Sequence, residues 1–142
     1  MESERTVAFA VNRIRFITCA EKRRLASSLQ SLLDFRKLTL GDLEQFIGRR
    51  TRARLWEPDI WARQAEEDQK YLTAGDFTCK FYDDSEYPPL LREIYDPPYL
   101  LFYRGTLPAQ DIPMLAVVGT RYPTGSGRKA AFELGFEAGG SG

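Results

Sequence analysis

The sequence has no histidine at all and only two cysteines, Cys19 and Cys79, far apart in the chain. No histidine-based triad can be assembled from it, and the C-x-x-C spacing of a metal site is missing. Metal and histidine chemistry are set aside on those grounds, and no cofactor is implied. No apolar run approaches the ~20 residues of a membrane span. The N-terminus, Met1-Glu2-Ser3-Glu4-Arg5, lacks a basic segment followed by an apolar block, so a cytoplasmic protein without a membrane role is the default expectation. Two phosphate-binding signatures are also missing. Gly119 and Gly125 have five residues between them with no lysine following, which breaks the Walker A pattern, and no G-x-G-x-x-G register can be drawn.

What is present is centred on Met114-Leu115-Ala116-Val117-Val118, a short apolar run bounded by Pro113 and Gly119. Its length and composition predict a strand buried on both faces, of the kind found in parallel sheets covered by helices. Arg128 to Ala138 then places Ala131, Leu134 and Ala138 on one helical stripe, so the unit reads as strand, polar turn, helix, the first half of a βαβ crossover. Ligands of such sheets sit beyond the carboxyl ends of the strands, where residues 119–127 fall. The turn offers donors in Thr120, Arg121, Thr124 and Ser126, and Gly119, Gly125 and Gly127 let backbone approach a ligand closely. With the free N–H groups of the following helix this is a candidate anion site; an ordinary strand-to-helix connection is the alternative. Arg121 favours the anion, because a guanidinium at a strand's carboxyl end calls for an anionic partner.

The zero net charge conceals an asymmetry. Residues 1–54 hold twelve Lys/Arg against six Asp/Glu, and residues 55–142 hold eight against fourteen. Arg13, Arg15, Lys22, Arg23, Arg24, Arg36, Lys37, Arg49, Arg50, Arg52 and Arg54 could form a phosphate-contacting surface, or simply the solvated faces of small helices.

Residues 6–72 read as four helices. Val7, Val11, Ile14 and Ile17 mark the first, and Thr18 with Glu21 forms a capping box for a second that carries Leu25, Leu29, Leu32 and Leu33. Thr39 opens a third, with Leu43, Phe46 and Ile47 inward and Gly48 at its end, and Pro58 opens a fourth that Gly75 closes. From Phe77 the period becomes two. Strands are expected at Phe77–Tyr82 and Tyr99–Tyr103, with a brief proline-started helix between them that Asp96-Pro97-Pro98 stops. Phe77, Phe81, Tyr99, Phe102 and Tyr103 read as sheet packing rather than stacking platforms, and Trp56 and Trp61 as anchors of the helical module against the strands. The fold class is α/β: a helical module at 1–75 and the start of a doubly wound domain at 76–142. The second strand of the βαβ unit is absent, which suggests a fragment or a truncated reading frame.

The order Tyr87-Pro88-x-x-Leu91, Ile94-x-Asp96-Pro97-Pro98-x-Leu100, Gly105, then Val117-Val118-Gly119-Thr120-Arg121-x-x-Thr124-x-x-Gly127 resembles the DNA processing protein A family, DprA/Smf. The helical module looks like that family's N-terminal extension, which is similar to a sterile-alpha-motif or helix-hairpin-helix unit. The resemblance implies a Rossmann-like domain that binds single-stranded DNA without cutting it and helps load a RecA-type recombinase in natural transformation, with homodimers in the full-length family. It places Gly119, Thr120 and Arg121 against backbone phosphate, with Thr124, Ser126 and Gly127 completing the turn; Ser126 stands where the family commonly has an aromatic. Two other classes compete. A Rossmann-like hydrolase of nucleoside monophosphates would need a glutamate near a second glycine-rich turn, and a helical protein-interaction module would use residues 6–72 alone.

Overall fold

The computed structural model describes residues 2–52, 55–75, 77–109 and 113–140. Its elements run α1 (Glu2–Asn12), α2 (Cys19–Ser28), α3 (Leu32–Lys37), α4 (Leu40–Ile47), α5 (Pro58–Ala74), β1 (Phe77–Phe81), α6 (Pro89–Arg92), β2 (Leu100–Arg104) and α7 (Gly125–Gly140). Packing divides the chain into two compact units, Met1–Leu107 and Pro108–Gly142. The change of period at 75/76 therefore falls inside the first unit.

Local chemistry sets the helix ends. Thr18 Oγ1 accepts the N–H of Glu21 while the Glu21 carboxylate accepts the N–H of Thr18 at 2.7 Å, the expected capping box, and Thr39 with Asp42 repeats the pattern at α4. Gly48 ends α4 with φ 74°, a left-handed cap that favours glycine, and Pro58 occupies the first turn of α5. The second expected helix is in fact two. Ser31 Oγ accepts the N–H of Asp34 and starts α3, so the leucines do not form one stripe: Leu25 and Phe35 are buried, whereas Leu33 is exposed.

The core of this unit is built around α1, which packs on α2, α3 and α5. Val7, Val11, Ile14, Leu25, Phe35 and Leu43 are fully buried; Ile14 and Ile17 lie past the end of α1 and still point inward. Strands β1 and β2 pair antiparallel, with Phe77 opposite Arg104 and Phe81 opposite Leu100. Phe9 of α1 seats the hairpin, its ring 5.9 Å from Phe81 and 6.1 Å from Phe102. Trp56 and Trp61 have a different role from the expected one. They stack edge to face at 5.2 Å, Trp56 lies 6.4 Å from Phe16, and its indole N–H donates to the Leu38 carbonyl at 2.7 Å, so they join helical segments to one another.

The second unit departs from expectation at its centre. Met114–Val118 forms no strand, and Met114, Leu115, Val117 and Val118 are exposed. A strand exists through the ladder it shares with a neighbour, and among the described residues of this unit no other segment supplies one. The expected helix is present as α7, longer than Arg128–Ala138 at both ends. Phe132 and Phe136 stack along it at 6.3 Å, and they and Leu134 remain exposed. Helices with a small antiparallel sheet are compatible with the α/β class. Among the described residues no helix is long and apolar enough to cross a membrane.

Candidate functional site

Thr124 organises the turn before α7. Its Oγ1 accepts the N–H of Gly127 at 3.2 Å and its carbonyl accepts the N–H of Arg128 at 3.0 Å, so it acts as the N-cap. The Ser126 hydroxyl lies 3.1 Å from the same Oγ1. On the other side of Pro123, Thr120 Oγ1 accepts the N–H of Tyr122 at 3.3 Å, a local threonine turn. Arg121 is exposed between these two hydrogen-bonded segments, and among the described residues no carboxylate or carbonyl holds its guanidinium.

The glycines differ in what they permit. A Cβ on Gly119 or Gly125 would meet open space, whereas on Gly127 it would come within 3.3 Å of Thr124 Oγ1. Gly127 thus allows the cap to close. The N–H groups of Gly125 and Ser126 have no protein acceptor among the described residues, which leaves two first-turn donors of α7 available. A guanidinium, hydroxyls and first-turn amides are donor types that an oxyanion such as phosphate takes, and here they all come from residues 120–126. All six expected residues lie in this exposed stretch. Hydrogen bonds bring Thr124, Ser126 and Gly127 together; Gly119, Thr120 and Arg121 adjoin them through the chain.

Much of the basic surplus of residues 1–54 is taken up internally. Arg13 pairs with Asp68, Arg23 with Asp83, Arg36 with Glu66 and Arg49 with Glu21. Lys22 points its ammonium at the Asn12 carbonyl at 3.3 Å, and burial lowers its pKa. Arg24 donates to the Phe46 carbonyl at 3.1 Å and lies over the Phe46 ring. Arg15, Lys37, Arg50 and Arg52 are exposed, and Arg54 lies outside the described residues. The surface is therefore less cationic than the composition implies.

Several of the motif residues prove to be structural. The Tyr87 hydroxyl, fully buried, donates to the Pro98 carbonyl at 2.7 Å, and Asp96 accepts the N–H of Cys19 at 2.8 Å. Arg92 donates to the Tyr82 carbonyl at 3.1 Å and also to that of Asp84. These bonds fix the connection between β1 and β2 against itself and against the start of α2. Burial pushes the thiols of Cys19 and Cys79 up, Cys79 to about 12, so neither is poised as a thiolate nucleophile.

One concave surface was not foreseen from the sequence. A groove of about 420 Å³ in the first unit is lined by Arg13, Arg15, Asp68, Tyr71, Phe77 and Phe102 among others. Strand alternation places Phe77 and Phe102 on the helix-facing side of the hairpin, but where α1 stops decides whether they are covered.

Comparison with known proteins gives a consistent result. Residues 78–140 match the family model described as DNA recombination-mediator protein A. The chain is 29% identical over 114 residues to Protein Smf of Borreliella burgdorferi, covering 78% of this chain and 34% of the relative. It is 29% identical over 142 residues to Protein Smf of Synechocystis sp., covering 89% and 33%. With DNA processing protein DprA of Streptococcus pneumoniae it shares 36% identity over 94 residues, covering 66% and 32%. It thus spans about a third of the length of the curated relatives it matches. No solved structure matches it significantly.

Proposed function

Since the chain belongs, through residues 78–140, to the DNA recombination-mediator protein A family, we propose that it serves as a non-catalytic, single-stranded-DNA-binding recombination mediator. On this reading residues 76–142 belong to a Rossmann-like domain in which α7 (Gly125–Gly140) is a crossover helix and the turn before it faces the ligand. Arg121 takes the charge of a backbone phosphate. Gly119 lets the chain come close, Thr120 and Ser126 offer hydroxyls, and Thr124 and Gly127 hold the first turn of α7 open to the same oxyanion. The protein shields incoming DNA in the cytoplasm and passes it to a RecA-type recombinase during natural transformation, as part of a homodimer.

The observation that carries this reading is Arg121: an exposed guanidinium without a partner among the described residues, a few residues ahead of first-turn amides of α7 that have no acceptor among them either. Fluorescence anisotropy with labelled oligonucleotides of several sequences tests it. Arg121→Ala weakens binding for all sequences alike and lowers the salt slope by about 0.7, the signature of one lost phosphate contact on a single strand. Unchanged affinity and slope would remove Arg121 from the site.

A further inference from the structure

The register of the hairpin sets Phe77, Cys79 and Phe81 of β1 on the same face as Arg104, Phe102 and Leu100 of β2. That face is core at one end, where Phe9 covers Phe81 and Leu100 is buried. At the other end it outruns α1, which stops at Asn12. Phe77 and Phe102 consequently stay 38% and 45% exposed, although both lie on the inward side of the sheet. Tyr71 of α5, 68% exposed, brings its ring to 5.9 Å from Phe77, and the Arg104 guanidinium lies 5.3 Å over the Phe77 ring. Arg13 and Arg15 flank these rings across the groove. Asp68, the one carboxylate among its described lining residues, is paired with Arg13.

Exposed aromatic rings across a groove from Arg15, which pairs with no carboxylate among the described residues, match a nucleobase joined to a phosphate. Every base has a π-face to stack, and the adjoining phosphate satisfies the cation. An apolar peptide helix would cover the rings and bury Arg15 without a counter-ion, which is costly. An acidic peptide would meet the charge and leave the flat rings unmatched. We propose that the groove between the end of α1, α5 and the hairpin is a second contact site for single-stranded nucleic acid, with one base held on Tyr71 and Phe102 and its phosphate on Arg15. This inference rests on the reading of the chain as a single-strand binder, but it engages the first unit instead of the turn at 119–127.

The test is photocross-linking of the full chain to oligothymidylate carrying a halogenated uracil, together with anisotropy of variants. Cross-links are expected at Tyr71, Phe77 or Phe102. Tyr71→Ala weakens oligothymidylate binding about tenfold, leaves an abasic strand of equal length unaffected, and is rescued by Tyr71→Phe. Arg15→Ala weakens both strands and lowers the salt slope by about 0.7. Both side chains are exposed, so unchanged melting curves will show the fold intact. Absence of cross-links in the groove, or parental binding by both variants, overturns the proposal. If Arg121→Ala alone loses affinity, the groove falls and the turn stands; if only the groove variants lose it, the turn falls; a chain that binds no oligonucleotide overturns both.

Discussion

The carboxylate of Asp96 accepts the backbone N–H of Cys19 at 2.8 Å, tying the Asp-Pro-Pro turn ahead of β2 to the first residue of α2. A carboxylate at a helix N-terminus satisfies an orphan donor and opposes the positive end of the helix dipole. Asp96→Ala is therefore expected to cost about 1 kcal/mol of folding stability, and Asp96→Asn, which keeps an acceptor, clearly less. Urea denaturation of the three proteins decides the matter, and equal midpoints for Ala and parent would show that the tie contributes nothing.

Two tyrosines in the same region predict alkaline sensitivity. Burial raises the phenol of Tyr87 and pushes that of Tyr99 up to about 12, from an ordinary value of 10.0. The sign follows from linkage: a raised folded-state value gives stability that is complete below the unfolded value and is lost as pH rises through the folded one. Stability should thus decline between about pH 10 and pH 12. Tyr99→Phe, which lacks the ionising group, should flatten that decline. Circular dichroism followed against tyrosinate absorbance measures it; a decline that Tyr99→Phe leaves unaltered assigns the effect elsewhere.

The acid limb has the opposite sign. Arg49 donates to both oxygens of Glu21, at 2.9 Å and 2.8 Å, and this hydrogen bonding, with that from Thr18, holds Glu21 below its ordinary 4.5 against the opposing effect of burial. Hydrogen bonds from the Thr39 hydroxyl and N–H lower Asp42, and those from the Thr51 N–H and hydroxyl lower Glu44. Stability from these groups is present above their unfolded values and is lost as pH falls through the folded ones. Chemical denaturation between about pH 5 and pH 3 should show the loss, with a shallower dependence in Glu21→Gln. Parallel curves for the two proteins would contradict the assignment.

What was legible in the sequence is what is decided within a few residues. Thr18 with Glu21, Thr39 with Asp42, Gly48 and Pro58 all act through bonds or dihedrals inside one turn, and each is found where its pattern places it. The break between α2 and α3 was legible in principle through Ser31 and Asp34, but a run of leucines at helical spacing concealed it. The strand expected at Met114–Val118 depends on a partner strand that local sequence does not specify. Phe9 meeting Phe81 and Phe102 depends on how a helix near residue 9 docks on a hairpin near residue 80, information that no local period contains. The candidate site lay between these cases. Its cap at Thr124 is local and formed as a helix start requires, while no hydrogen bond among the described residues fixes the Arg121 guanidinium.

The two glycines at the start of α7 separate helix propensity from cap geometry. Alanine at either position favours the helical state by up to about 1 kcal/mol. At Gly125 the added methyl meets nothing, so Gly125→Ala should leave the turn in place and raise helicity slightly. At Gly127 it would press on Thr124 Oγ1 at 3.3 Å, the atom that accepts the N–H of Gly127 itself. The cap must then shift by a few tenths of an ångström, carrying the Thr124 and Ser126 hydroxyls with it. If these groups and the neighbouring amides receive a phosphate, Gly127→Ala should weaken oligonucleotide binding severalfold while Gly125→Ala changes it little. Anisotropy with one labelled strand compares them directly, with far-ultraviolet circular dichroism as the control for helix content. Equal affinity in the two variants, at comparable helicity, would mean that the Thr124 cap takes no part in holding the anion.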